Sequence, residues 1–292
     1  MGIKYSICST TYNIASKVSQ SLDSLLKFTD DSFEFVIVDS ESSDGTYEIL
    51  KNYKKTHEHI KLITKKCKRG LGRQIAYENS EGEYIIAVDL DTVYYPIWIS
   101  FIRKYERLEK HMNFALHAPY LGIYPRHLIE EVGGWRNLQW GEDFDLWYRL
   151  MLINAFKWTP VVMGQNWITE EKEMRQTRNI MRIIWRKFIA EKDRFIARSE
   201  YSLGDRIQEI KNWSNPHSFY LFWIPLTFSA YLASLPYREK RDPLKVCQMW
   251  YRNLIIIDLD GEKLFDLISF PKRIENFCKG RMIDNVGGNS HL

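Results

Sequence analysis

Tyr84-Ile85-Ile86-Ala87-Val88-Asp89-Leu90-Asp91 is the stretch that decides the fold. Five uncharged residues, three of them β-branched, read as a buried strand. Two carboxylates two residues apart then close it. Side chains alternate along a strand, so Asp89 and Asp91 face the same side. Hard carboxylate oxygens in that arrangement suit Mg²⁺ or Mn²⁺, with a diphosphate supplying further oxygens. An Asp-x-Asp on its own is equally well a solvated turn.

Working outward, the pattern repeats. Ile3–Cys8, Phe35–Val38 and Ile60–Thr64 read as strands. Between them lie helical spacings at Val18, Leu22, Leu25 and Leu26, at Tyr47, Leu50 and Tyr53, and over Leu71–Tyr77. Strands alternating with helices of this length predict βαβ units and a mostly parallel central sheet. In such sheets ligands bind beyond the carboxyl ends of the strands, so the residues after each strand matter most. Strand one ends in Ser9-Thr10-Thr11-Tyr12-Asn13, where hydroxyls suit a ribose or base and Tyr12 suits stacking. Strand two delivers Asp39 to the rim, where it can accept from a ring N–H or a ribose hydroxyl. Ser43 or Asp44 can cap the next helix. Arg69-Gly70-Leu71-Gly72-Arg73 reads as a flexible loop whose Arg73 can fork onto phosphate. Downstream, Ile97–Leu108 reads as helix, Phe114–Ile123 contains strand, and Phe144–Phe156 is a strong helix. Trp140-Gly141-Glu142-Asp143-Phe144-Asp145 opens that helix with three carboxylates. They suit the positive end of the helix dipole, and one of them, if set in a cleft, can serve as a general base.

The 292 residues carry a net charge of only +4, which does not announce a nucleic-acid partner, and the 45% hydrophobic content allows a sizeable core. The charge is uneven. Lys172 to Arg198 holds nine Lys or Arg against three Asp or Glu, a net of +6, leaving −2 for the rest. Cys8, Cys67, Cys247 and Cys278 are scattered, and Met1-Gly2-Ile3-Lys4 enters the first strand without a leader-like segment. Reduced thiols and a cytoplasmic protein are the expectation.

Taken together, these motifs resemble family 2 inverting glycosyltransferases of the GT-A fold. The resemblance rests on Thr11-Tyr12-Asn13, Val38-Asp39 with Ser42-Ser43-Asp44-Gly45-Thr46, and Gly70 through Arg73. It continues through Gly82-Glu83-Tyr84-Ile85 leading to Asp89-Leu90-Asp91, Val132-Gly133-Gly134-Trp135, and Glu142-Asp143-Phe144-Asp145-Leu146. Each is weak alone; their joint order and spacing are specific, through about Met163. The resemblance implies an α/β GT-A nucleotide-sugar-binding domain over 1–165, followed by a mainly helical region over 166–292. It implies that Thr11, Tyr12, Asp39 and Arg73 line the nucleotide pocket. Asp91 would be the principal metal ligand, with Asp89 on the ribose or the metal. Asp143 would be the base that deprotonates the acceptor hydroxyl, and Trp140 and Glu142 would border the acceptor. The donor would be a UDP-, GDP- or dTDP-sugar, and the acceptor a saccharide or lipid-linked saccharide. Two departures stand out. Ser40 follows Asp39 where members often carry a second acid, and no Gln-x-x-Arg-Trp is present, so non-processive transfer is expected. A polyprenyl-phosphate sugar synthase, a nucleotidyltransferase and a non-catalytic sugar binder are the competing readings.

The last third suggests a membrane. Met174–Arg198 reads as one long helix with Arg175, Arg178, Arg182 and Arg186 on one face. Met174, Met181, Ile184 and Phe188 form a neighbouring apolar stripe. Lys211 to Arg238 encloses no other charged residue and contains Pro225. A membrane span, docking on an anionic lipid surface and a buried core segment all remain open.

Overall fold

The computed structural model describes residues 2–166, 180–211 and 218–255. Met174, Arg175, Arg178 and Cys278 lie outside the described residues.

The first half alternates as its pattern predicts: β1 (Tyr5–Thr11), α1 (Ala15–Leu26), β2 (Phe33–Asp39), α2 (Thr46–Thr56), β3 (Ile60–Thr64), α3 (Arg69–Glu78) and β4 (Tyr84–Val88). Then come β5 (Thr92–Tyr94), α4 (Ile97–Met112), β6 (Ala115–Ala118), β7 (Leu121–Pro125), α5 (Arg126–Glu131), α6 (Glu142–Leu152), β8 (Phe156–Trp158) and β9 (Gly164–Asn166). The helical remainder holds α7 (Ile180–Ala197), α8 (Leu203–Lys211), α9 (Ser218–Ser234), a 3₁₀ turn (Leu235–Tyr237) and α10 (Pro243–Arg252).

The main sheet runs β3-β2-β1-β4-β7-β6-β8. The first four strands are parallel, β7 is antiparallel to both neighbours, and β6 and β8 are parallel. Strand alternation explains the two cores. Phe33, Phe35 and Ile37 join one cluster with Trp98, Phe101 and Tyr105 of α4. Val36 and Val38 join the other, with Leu146, Trp147 and Leu150 of α6 and Trp250 of α10. With both faces covered, β2 is buried at every position. Each fully buried Phe or Leu contributes about 1.5–3 kcal/mol relative to exposure.

Three features differ from the sequence reading. The helix expected to reach Phe156 stops at Leu152, because Asn154 adopts φ 59° and Phe156 starts an edge strand. The glycines near Arg73 form no loop; they lie in the first turn of α3. A Cβ on Gly70 would sit 2.0 Å from the Arg136 carbonyl, so glycine here permits close approach rather than motion. The chain also returns to the sheet edge late. Trp158 donates to the Asn253 carbonyl at 2.9 Å, and Ile255 donates back to the Trp158 carbonyl at 2.9 Å.

Among the described residues, no helix is long and apolar enough to cross a membrane. α9 spans 17 residues with Pro225 inside. Cys8 and Cys67 are free thiols, but Cys247 is disulfide-bonded, against the expectation of reduced thiols throughout.

Candidate active site

The carboxyl ends of β1, β2 and β4 lie side by side, with Thr11 in register with Asp39. The loops beyond them interlock. Asp44 accepts from the Thr46 amide and hydroxyl through one oxygen and from the Ala15 amide through the other. The cap position of α2 is Gly45, not Ser43 or Asp44 as the sequence suggested, but Asp44 one residue earlier satisfies the first amides of both α1 and α2. Asn13 adopts φ 55°, and its side chain accepts from the Ser43 amide at 2.8 Å.

Asp39 is fully buried. Its oxygens accept from the Thr11 hydroxyl at 3.1 Å, the Ser42 amide at 2.9 Å and the Ser42 hydroxyl at 2.6 Å. Thr11 and Asp39 are thus brought together, but the carboxylate is turned into the protein, bracing the rim. Tyr12 stands out from that rim, 45% exposed.

Arg73 holds the centre. One turn into α3 and buried, it puts Nη2 2.9 Å from Asp89 and 3.2 Å from Asp143, and Nε 3.4 Å from Glu142. Burial opposes its charge, but Asp143, Asp89 and Glu142 together raise its pKa. Its Nη1 is buried without a hydrogen-bond partner. Arg69, on the same helix face, lies 3.8 Å from Glu142.

Glu142 and Asp143 open α6 after Gly141, whose φ of 77° starts the helix. The helix N-terminus favours these negative charges. The Glu142 carboxyl is pushed up to about 7, by burial first and then by the Asp143 charge, with Arg69 and Arg73 opposing. Asp143 is the more accessible of the two, its side chain 24% exposed against 3%. Its other oxygen accepts from the Trp135 indole at 2.9 Å. The third carboxylate of this stretch, Asp145, points away. It is buried and paired with Arg149 at 2.8 Å and Arg136 at 3.1 Å, a structural role. Trp140 stacks on Phe144 with the Arg194 guanidinium 4.1 Å from its ring.

Asp89 and Asp91 are held differently. The Tyr94 hydroxyl, buried among backbone groups, accepts from the Asp89 amide at 2.9 Å and fixes the strand end. Asp91 Oδ1 accepts from the Asn166 amide group at 3.0 Å, across the small sheet in which β5 pairs with β9. The Asp91 carboxyl is raised by burial and then by its neighbour Asp89. With the raised Glu142 carboxyl counted as protonated, Asp89, Asp91 and Asp143 carry three formal negative charges against two from Arg69 and Arg73. An incoming diphosphate would meet a net −1. A divalent cation on the two hard carboxylates would relieve both that deficit and the repulsion between them. The donor set therefore fits Mg²⁺ or Mn²⁺ shared with the diphosphate. Among the described residues no group of three or more His, Cys, Asp or Glu is placed to hold a metal by itself.

Sequence reasoning missed Trp135, Tyr94 and Asn166, which hold Asp143, Asp89 and Asp91. Trp135 alone had a signal, as the last residue of the Val132-Gly133-Gly134-Trp135 motif.

Comparison with known proteins places these residues in a wider set. The profile described as glycosyl transferase family 2 matches residues 6–172. The poly(ribitol-phosphate) beta-glucosyltransferase of Bacillus spizizenii is 35% identical over 94 residues, 30% of this chain and 15% of that protein. The chain therefore aligns with a small part of that longer relative. The fold is shared with S. aureus TarS 1-349 crystallised with UDP-GlcNAc, at a TM-score of 0.52 and 16% identity, covering 99% of this chain and 93% of that one. It is also shared with the mannosyltransferase PcManGT of Pyrobaculum calidifontis in complex with GDP-Man and Mn²⁺. There the TM-score is 0.51 and the identity 15%, over 98% of this chain and 88% of that one.

Proposed function

Because the chain belongs to glycosyl transferase family 2, we propose that it moves a sugar from a nucleotide-sugar to a hydroxyl of a saccharide or lipid-linked saccharide, inverting the anomeric carbon. The observation that carries this reading is the Arg73 guanidinium, which joins Asp89 at the end of β4 to Asp143 at the start of α6. Donor-side and acceptor-side carboxylates are thereby held within one side chain's reach.

In this reading Tyr12 and the Thr11–Asp39 rim receive the nucleotide, and Arg73 with its unpartnered Nη1 faces the diphosphate. Asp89 and Asp91 hold the divalent cation, which when bound neutralises charge on the departing diphosphate. Asp143, oriented by Trp135 and Arg73, takes the proton of the acceptor hydroxyl. The hydroxyl oxygen bonds to the anomeric carbon from the face opposite the diphosphate, whose C–O bond breaks. Glu142 stays close behind Asp143, and Trp140 borders the acceptor through its edge.

The test combines donors and acceptors suggested by the relatives: UDP-GlcNAc, UDP-glucose and GDP-mannose with Mn²⁺, offered poly(ribitol phosphate) and lipid-linked saccharides. Asp143→Asn should keep nucleotide binding and lose transfer by roughly 10²–10⁴-fold. Undiminished transfer by that variant to a phosphate acceptor would favour the polyprenyl-phosphate reading, because an acceptor that is already an anion needs no base.

We further infer that the C-terminal helices rest on an anionic lipid surface at the cytoplasmic face. Among its described side chains α9 buries Trp223, Thr227, Ala230 and Ser234 and exposes Pro225, Phe228, Ser229 and Leu232, so large apolar side chains stand on its outward face. Leu235 and Tyr237 extend that exposure, Met181 and Trp185 are exposed on α7, and Lys187 and Lys240 supply accessible cations. Flotation with anionic liposomes at low and high salt tests this; protein left in the soluble fraction under both conditions refutes it.

A further inference from the structure

The family match ends at residue 172, yet α7, which starts at Ile180, reaches the site at three places. Arg186 lies 5.7 Å from the Tyr12 ring. Arg194 lies over Trp140. Between them, Asp193 is buried, and one of its oxygens accepts twice, from the Lys68 ammonium at 2.8 Å and from the Gln139 amide at 2.7 Å. Lys68 is the cap residue of α3, the helix that carries Arg69 and Arg73. Gln139 and Trp140 immediately precede Gly141, the cap of α6, whose first turn carries Glu142 and Asp143. A single carboxylate oxygen therefore ties the helix of the central arginine to the turn that launches the candidate base.

We propose that Asp193 is a positioning residue for the acceptor half of the reaction: it holds the Gln139-Trp140-Gly141 turn, and through it Trp140 and Asp143, in the transferring geometry. The proposal rests on the glycosyl-transfer reading above. The turn has no regular structure of its own, and a charge-assisted bond to a backbone amide is stronger and more directional than a neutral one. Arg194, the next residue, lies over the Trp140 indole, and the Ala197 methyl packs where a Gly141 side chain would be, 2.6 Å from a Cβ built there. Three residues of α7 thus shape one three-residue segment of the acceptor border.

The experiment compares the full chain with Asp193→Asn, Asp193→Ala and Lys68→Met. Hydrogen exchange over residues 138–142 reports the turn directly. Calorimetry with UDP and with GDP, each with Mn²⁺, reports the donor half, and transfer kinetics with the donor and acceptor panel above report the reaction. Asp193→Ala should lose protection in 138–142 and raise the acceptor KM or lower kcat by roughly ten- to a hundredfold. Its nucleotide affinity should stay within about twofold of the parent. Asp193→Asn keeps an oxygen for the Gln139 amide and should recover most of the loss. Lys68→Met leaves that bond and should behave like Asp193→Asn. If Asp193→Ala does not fold, Gln139→Pro, which removes the amide donor and leaves the Lys68–Asp193 pair, takes its place and should show the same loss of protection and of acceptor-side turnover with nucleotide affinity kept. Unchanged protection in Asp193→Ala, or nucleotide affinity falling in step with transfer, overturns the proposal. A parent chain that binds nucleotide and transfers no sugar overturns the reading beneath it instead.

Discussion

Replacing Glu142 with Gln should change the way stability responds to pH, with a sign fixed by the site. Burial and the neighbouring Asp143 charge raise the Glu142 carboxyl from the ordinary 4.5 to about 7. Between those values the folded chain holds a proton on Glu142 that the unfolded chain has released. Stability attributable to Glu142 therefore falls as pH rises through this window, and the loss is complete above the folded value. Each pKa unit is worth about 1.4 kcal/mol, so the change from 4.5 to about 7 corresponds to about 3 kcal/mol. The parent's own pH profile does not isolate this, because buried His117, depressed from 6.5 to about 3 by burial and then by Arg73, acts in the opposite direction. Its contribution is lost as pH falls from 6.5 towards 3. The difference between Glu142→Gln and the parent cancels His117. Urea unfolding followed by tryptophan fluorescence at pH 5 and pH 8 should show the variant gaining on the parent by on the order of 2–3 kcal/mol as pH rises. A difference flat across that range, or one that shrinks, would show that Glu142 is not a buried carboxyl held protonated, and the packing of Arg69, Arg73 and Asp143 around it would need to be redrawn.

Two further outcomes follow from the same geometry. Asp91→Ala should cut Mn²⁺-dependent turnover by orders of magnitude with the fold retained, measured as donor hydrolysis and transfer alongside circular dichroism; full turnover of that variant in EDTA would refute the metal assignment. Gly141→Ala forces a side chain into φ 77° and to within 2.6 Å of the Ala197 Cβ, so thermal unfolding should show a loss of about 1–3 kcal/mol, and an unshifted melting temperature would contradict it.

The strands and the residues at their ends were legible because local pattern determines them. Ile60–Thr64 and Tyr84–Val88 are found at the predicted bounds, the second as an apolar run after the Asn79–Gly82 turn and the first as a β-branched stretch around Lys61 and Leu62. The clustering of Arg73 with Asp89, Glu142 and Asp143 was foreshadowed only as separate candidates on a common rim. What local pattern cannot hold is pairing across long separations. Asp91 owes one hydrogen bond to Asn166, 75 residues away, through a sheet of three-residue strands. The Ser42 bonds to Asp39 were equally hidden, because residue type and strand-end position say nothing of a loop folding back onto the carboxylate. The stop of α6 depends on Asn154 taking a left-handed conformation, which asparagine permits but does not announce.

The return of residues 253–255 to β8 bears on where this chain can be shortened. β8 is an edge strand, and the Asn253 carbonyl and the Ile255 amide occupy backbone groups of Trp158 that would otherwise be open to another chain. Trp250 packs beside them against Trp147, Phe156 and Trp158. A fragment trimmed to the boundary suggested by composition, near residue 165, would keep every carboxylate of the site and yet leave a sticky edge and an uncovered aromatic surface. A fragment meant for expression or crystallisation therefore needs at least the residues through Ile255, which cover the backbone of Trp158.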